Sequence, residues 1–286
     1  MTYGLPYQGS KQKICESIVD ALPSAECFVD VFAGGCAVTH AAMLSHKYKR
    51  YVCNDITDAP TLFVDAIAGK YKDESRWVSR DLFYMLKDVD PYIRLVWSFG
   101  NDQKTYLYGK DIEDGKRLLH KMLFAENVKK RRLAWMELHR YLMQSLQSLE
   151  SLESLASLQS LERLQSLESL QSLQSLQSLE VHQGDYRELT IPDNSCVYCD
   201  PPYKGTKGYT VDFDHDAFWQ WCREQTQPVY ISEYNAPDDF VCVWSKDRRA
   251  LMSPKGRKIE TERLFVPQRL ASVASGKRNL FAHDTD

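Results

Sequence analysis

From Leu146 to Leu179 a leucine stands at every third position, in twelve Ser-Leu-Gln or Ser-Leu-Glu triplets running from 145 to 180, with only Ala156 and Arg163 out of pattern. No glycine, proline or β-branched residue interrupts the run, and Leu, Gln and Glu all favour helix, so the stretch is expected to be helical. A three-residue step turns an α-helix by about 300°, so the leucines drift around the axis, whereas in a 3₁₀-helix they share one face. Long 3₁₀ runs are rare, which favours the α form. The period of three also misses the 3.5-residue heptad and argues against a regular coiled coil. The expectation is a projecting helical arm or cover packed by its leucines, which could also serve self-association.

Ahead of the run, residues 27–32 (Cys-Phe-Val-Asp-Val-Phe) read as a short apolar strand, followed by Ala33-Gly34-Gly35-Cys36 and a helical pattern over 37–44. In a strand, glycine turn, helix unit, the glycines let a ligand approach the backbone closely. The spacing is not GxGxxG, which disfavours a dinucleotide dehydrogenase. A second strand over 50–54 ends in Asp55, where an acid can hold the hydroxyls of a ribose. Asp30 and Asp55 with this turn predict an adenosine-type ligand. At the N-terminus, Tyr7, Gly9, Ser10 and Lys11 precede a helix expected over 10–20 and capped by Ser10, a place suited to a carboxylate or a flat ring.

Residues 58–86 look helical. The segment 97–110 is rich in turn formers, amides and rings, and Asn101, Gln103, Lys104 and Tyr106 are placed to read or wedge bases. One helix is expected over 112–142. Beyond the triplets, Asp185 and Tyr186 follow a strand, at a position where an acid can accept an adenine amino group. The apolar run 196–199 stops at Asp200-Pro201-Pro202-Tyr203. Two prolines remove two donors and fix φ, so carbonyls at the strand end are left facing outward beside a carboxylate and a ring. Those parts suit an exocyclic amine on a planar base. A loop with Lys204 and Lys207 comes next, placed to meet phosphate. A helix over 216–224, a strand over 229–232 and a closing hairpin of 240–244 with 262–266 complete an α/β pattern.

The formal charge of −3 would count against nucleic acid if spread evenly, but residues 145–180 hold five Glu and one Arg, a net of −4. The remainder has 35 basic against 34 acidic residues, so DNA is not excluded. The eight cysteines lack disulfide or zinc spacing and read as reduced thiols, with no metal site expected. No secretory segment or 18-residue apolar run is present, so a cytoplasmic protein with no membrane partner is expected.

Tyr7-Gln-Gly-Ser-Lys11, Asp30-Val-Phe-Ala-Gly-Gly35, Asn54-Asp55, Gly184-Asp185-Tyr186 and Asp200-Pro-Pro-Tyr203, in that order, resemble the motifs of Dam-like DNA adenine-N6 methyltransferases of the D12 class. The resemblance covers about residues 5–56 and 182–266. It implies S-adenosylmethionine as cofactor, double-stranded DNA as partner, and a Rossmann-like α/β fold with a mostly parallel seven-stranded sheet. The implied organisation is a catalytic domain from 1–57 and 181–286, a target-recognition segment at 58–144 and the triplet run at 145–180. By position it implies cofactor contacts from Tyr7, Lys11, Asp30, Phe32, Ala33, Gly34, Gly35, Asp55, Asp185, Tyr186 and Asp200, and a catalytic role for Asp200, Pro201, Pro202 and Tyr203. The residues alone also admit cytosine-N4 methylation or a non-catalytic DNA-binding scaffold. The triplet run is no part of the family pattern.

Overall fold

The computed structural model describes residues 3–7, 9–145, 158–173, 178–203, 213–249 and 259–271. They form two compact units, one of residues 1–4, 10–61 and 175–286 and one of residues 5–9 and 62–174.

The first unit is built on a seven-stranded sheet. In chain order it comprises α1 (Cys15–Ala21), β1 (Cys27–Asp30), α2 (Ala37–Ser45), β2 (Arg50–Asp55), the start of α3 (Ala59–Ile67), β3 (Leu179–Gln183) and β4 (Ser195–Cys199). The strand order is β3-β2-β1-β4, then β5 (Val229–Glu233), β7 (Ile259–Pro267) and β6 (Phe240–Arg249) at the far edge. Every residue of β1, β4 and β5 is buried. That is why those strands read as unbroken apolar runs rather than alternating ones: helices cover both faces of a parallel sheet. On one face Val29, Val197, Cys199 and Ile231 pack with Phe218, Trp219 and Cys222 of the helix His215–Glu224. Asp214 caps that helix by accepting the Ala217 N–H at 2.9 Å.

The sheet is mixed, where the resemblance implies a mostly parallel one. Strands β3, β2, β1, β4 and β5 pair in parallel, while β7 runs antiparallel to both β5 and β6. The reversal arises because β6 and β7 follow each other as a hairpin, a connection that only antiparallel strands can make. The hairpin expected from the sequence is therefore present, with Phe240 opposite Pro267 and a register shift between Cys242 and Trp244.

The second unit is helical. The rest of α3 is followed by α4 (Arg80–Leu86), α5 (Pro91–Val96), α6 (Glu113–Leu123) and α7 (Val128–Ser145). Two sequence expectations change here. Residues 58–86 make two helices, because α4 begins anew at Ser79, whose hydroxyl accepts the Leu82 N–H. The helix expected over 112–142 is broken at Phe124 to Asn127. The first half ends at Leu123 with Phe124 as its C-cap, Asn127 starts the second by accepting the Lys130 N–H at 2.9 Å, and Lys121 bridges the two helices to Glu137 at 2.7 Å.

Within the triplet run, α8 (Gln159–Ser169) is α-helical and passes into a 3₁₀ turn at Leu170–Leu173. Leu158, Leu164, Leu167, Leu170 and Leu173 are all buried. The change of helix type explains how. In the α part each three-residue step slips the leucine back by about 60°, and the 3₁₀ turn then holds Leu170 and Leu173 on one face before the drift takes them to solvent. A projecting arm does not describe these residues, whose leucines are buried. Arg163 is the fixed point: its Nη1 donates to the carbonyls of Val96 and Ser98 at 2.7 Å, where α5 ends. A guanidinium there meets the carbonyls the helix leaves unpaired and the negative end of its dipole. Residues 146–157 and 174–177 of the run lie outside the described residues.

Candidate active site

The acids and glycines singled out from the sequence gather at the carboxyl ends of β1, β2 and β4. This is where the strand order switches direction about β1, the usual ligand crevice of an open α/β sheet. Asp30 ends β1 fully buried. Thr39 donates to its Oδ2 at 2.7 Å, while Oδ1 has no hydrogen-bond partner among the described residues. Burial pushes its carboxyl up to about 7, the Thr39 bond opposing and the charges of Asp200 and Asp55 adding to the rise. A half-satisfied buried carboxylate suits a cationic or donor group at this point.

The glycine turn is held from both sides. Gly34, at φ +48°, donates its N–H to Asp55 Oδ2 at 2.8 Å, and the other Asp55 oxygen takes the Thr57 N–H and hydroxyl. Asn54 Nδ2 donates to the carbonyls of Val31 and Gly184, tying the turn after β1 to the one after β3. Gly4 lies against this turn at φ +64°; a Cβ there would stand 2.3 Å from the Gly35 carbonyl oxygen. Its N–H donates to His40 Nδ1 at 3.0 Å, and burial lowers the imidazole to about 4, which keeps it an acceptor at neutral pH.

Asp200 follows β4. Lys11 Nζ stands 2.7 Å from its Oδ1 and 4.6 Å over the ring of Tyr203. Tyr203 is buried, donates its hydroxyl to Glu262, and meets Tyr234 edge-on with centroids 4.8 Å apart. Burial, with the charges of Asp200 and Glu262, holds its phenol well above the usual range, so it remains a donor.

A family model for D12 class N6 adenine-specific DNA methyltransferases matches residues 7–221. The chain belongs to this family. It is a site-specific adenine DNA methyltransferase, and its substrate is DNA. No curated protein is similar enough to count as a match.

In this methyltransferase the structure brings together Lys11, Asp30, Gly34, Asp55, Asp200 and Tyr203, each linked to another through the contacts above. Phe32 and Tyr186 are joined in one aromatic cluster with Phe218. Asp185 departs from its expected surroundings: it caps the 3₁₀ turn Tyr186–Glu188, and both of its oxygens engage Arg187, which lowers its pKa. The side chain offered to an adenine amino group is thus already ion-paired. Tyr7 lies in the second unit, half-buried.

Tyr106, expected to meet DNA, is in the interior of the second unit, 2% exposed, with its hydroxyl donated to Val78. Its neighbours Trp97, Leu107 and Tyr108 are buried as well, so the rings of segment 97–110 form core rather than an open surface. The turn closed by the Ser98–Tyr106 bridge keeps Lys104 exposed, Gln103 half-buried, and Phe99 61% exposed. The side chain of Asn101, with Lys204 and Lys207, lies outside the described residues.

Sequence reasoning gave no role to His40, Gly4 or Glu262, and quoted Asn54 only as part of a motif. His40 and Asn54 had signals in hindsight: a histidine on the buried face of α2 and an amide before a site acid. Glu262 had none, since a lone glutamate in a strand reads as a solvent-facing residue.

Proposed function

We propose that the chain takes S-adenosylmethionine as donor and methylates an adenine turned out of double-stranded DNA, by direct in-line attack of its N6. The observation that carries this reading is the meeting of Asp200 and Tyr203 with Lys11 beside Asp30, at the carboxyl ends of adjacent strands.

The residues present fit such a cofactor: the unpartnered Asp30 oxygen suits its cationic end, and the Asp55-braced glycine turn leaves backbone open to close approach. When bound, S-adenosylmethionine supplies an electrophilic methyl group on a sulfonium. The adenine amine is a weak nucleophile because its lone pair is shared with the ring. Asp200 and the Pro201 carbonyl accept its two hydrogens and draw the nitrogen toward tetrahedral geometry. Asp200 also stabilises the positive charge that develops on nitrogen. Tyr203 stacks on the base, which leaves the duplex at a cost of a few kcal/mol. Orientation provides much of the rate. Lys104 and Phe99 at the tip of segment 99–105 support a DNA contact for that loop, a backbone contact by the one and an apolar wedge by the other.

Base-resolved sequencing of duplex DNA after incubation with the protein and S-adenosylmethionine tests the reading. N6-methyladenine at one recurrent sequence is expected, and its complete loss with Asp200→Ala while the far-UV spectrum is unchanged. Methylation of cytosine, or a wild-type rate in Asp200→Ala, would refute it.

A further inference from the structure

Glu262 is a carboxylate only 3% exposed on β7, on the same side of the strand as the fully buried Leu264 and Val266. A charge in such a position persists only when it is bonded. Its Oε1 accepts the hydroxyl of Tyr203 and stands 3.9 Å from Lys11 Nζ. Lys11 therefore meets two carboxylates, standing 2.7 Å from Asp200 as well, with the Tyr203 ring beneath it at 4.6 Å. Glu262 comes from beyond residue 221, where the family match ends, and from the reversed strand of the sheet.

We infer that Glu262 is a positioning residue for methyl transfer, holding the ring of Tyr203 by its hydroxyl and sharing Lys11 with Asp200. The inference rests on the reading of the site given above. A phenol tied at its far end cannot swing about χ1, and Tyr234 packed edge-on against the ring opposes rotation about χ2. A base stacked on it is then aligned before reaction begins. The second carboxylate also draws on the charge of Lys11, which leaves Asp200 less neutralised and a better acceptor for the amine hydrogens. Both effects act on the step itself, not on cofactor affinity.

The full chain, carrying Glu262→Gln, Glu262→Ala or Tyr203→Phe, tests this in single-turnover transfer of labelled methyl from S-adenosylmethionine to plasmid DNA. A loss of about tenfold for Glu262→Gln, which keeps an acceptor for the phenol, and about a hundredfold for Glu262→Ala is expected, with cofactor Kd and KM for DNA within about threefold of wild type. The penalty of Glu262→Gln should shrink when Tyr203 is already phenylalanine. Wild-type rates in both Glu262 variants overturn the inference, as does a loss that tracks only weaker cofactor binding or a lower melting temperature. Should both variants fail to fold, Tyr203→Phe decides, and a wild-type rate there counts against it. A wild-type chain that methylates nothing removes the reading of the site and this inference together, whereas an active wild type with indifferent variants removes the inference alone.

Discussion

Asp30 gives the site a pH response with a definite sign. Its carboxyl is raised from 3.8 to about 7, so the folded protein holds this proton more tightly than the unfolded chain. The associated stability is fully present below pH 4 and is lost as pH rises through about 7, by up to about 4 kcal/mol. Asp30→Asn keeps an acceptor for Thr39 and removes the charge. Urea midpoints measured from pH 5 to 8 should therefore show the variant gaining on wild type as pH increases, and parallel curves would contradict the assignment. Residues of this kind were legible in the sequence because they sit where an apolar strand ends: Asp30, Asp55 and Asp200 each follow such a run. Glu262 and Gly4 were not, because their roles depend on partners 59 and about 30 residues away that no local pattern indicates. Asp185 was legible as a strand-end acid, but the arginine two residues on claims both of its oxygens.

At the level of elements, the triplet run shows where periodicity misleads. Composition pointed to helix throughout, which residues 159–173 form while Leu179 and Glu180 belong to β3, and the period of three could not decide between α and 3₁₀, because residues 159–173 use both in succession. The buried leucines depend on that switch. Leu167→Ala should cost about 2–5 kcal/mol in chemical denaturation. Leu161→Ala, at a half-buried position, should cost clearly less. Arg163→Ala, which strips donors from the end of α5, should cost about 1–3 kcal/mol, and Arg163→Lys, whose ammonium can donate to the same carbonyls only if its shorter stem reaches them, should cost less than the alanine. Equal midpoints for wild type and Arg163→Ala would refute the anchoring role. The break between α6 and α7 was hidden for a different reason. Its cap is one asparagine among helix-forming neighbours, and propensity summed over thirty residues outweighs it.

Across the whole molecule, the sheet carries the site, and its last strands are as necessary as its first. The family match spans residues 7–221, yet β5, β6 and β7 all lie beyond that point. They cover the open side of β4, the strand that delivers Asp200, and they supply Glu262. A chain stopped after Glu224 should leave the buried residues Val197, Tyr198 and Cys199 on an open edge. Aggregation in size-exclusion chromatography and loss of the cooperative melt are expected; a soluble, cofactor-binding fragment would show that the later strands are dispensable.

Arg163 also sets how the triplet run can change in length. A triplet gained or lost before Leu158 leaves the spacing between this arginine and the leucines after it untouched. Between Arg163 and β3, one triplet more still returns a leucine near the buried side, offset by about 60° in an α-helix and by nothing in a 3₁₀ turn. Copy-number variation in whole units should therefore be tolerated, with a single out-of-pattern residue acting as the origin from which the register is counted.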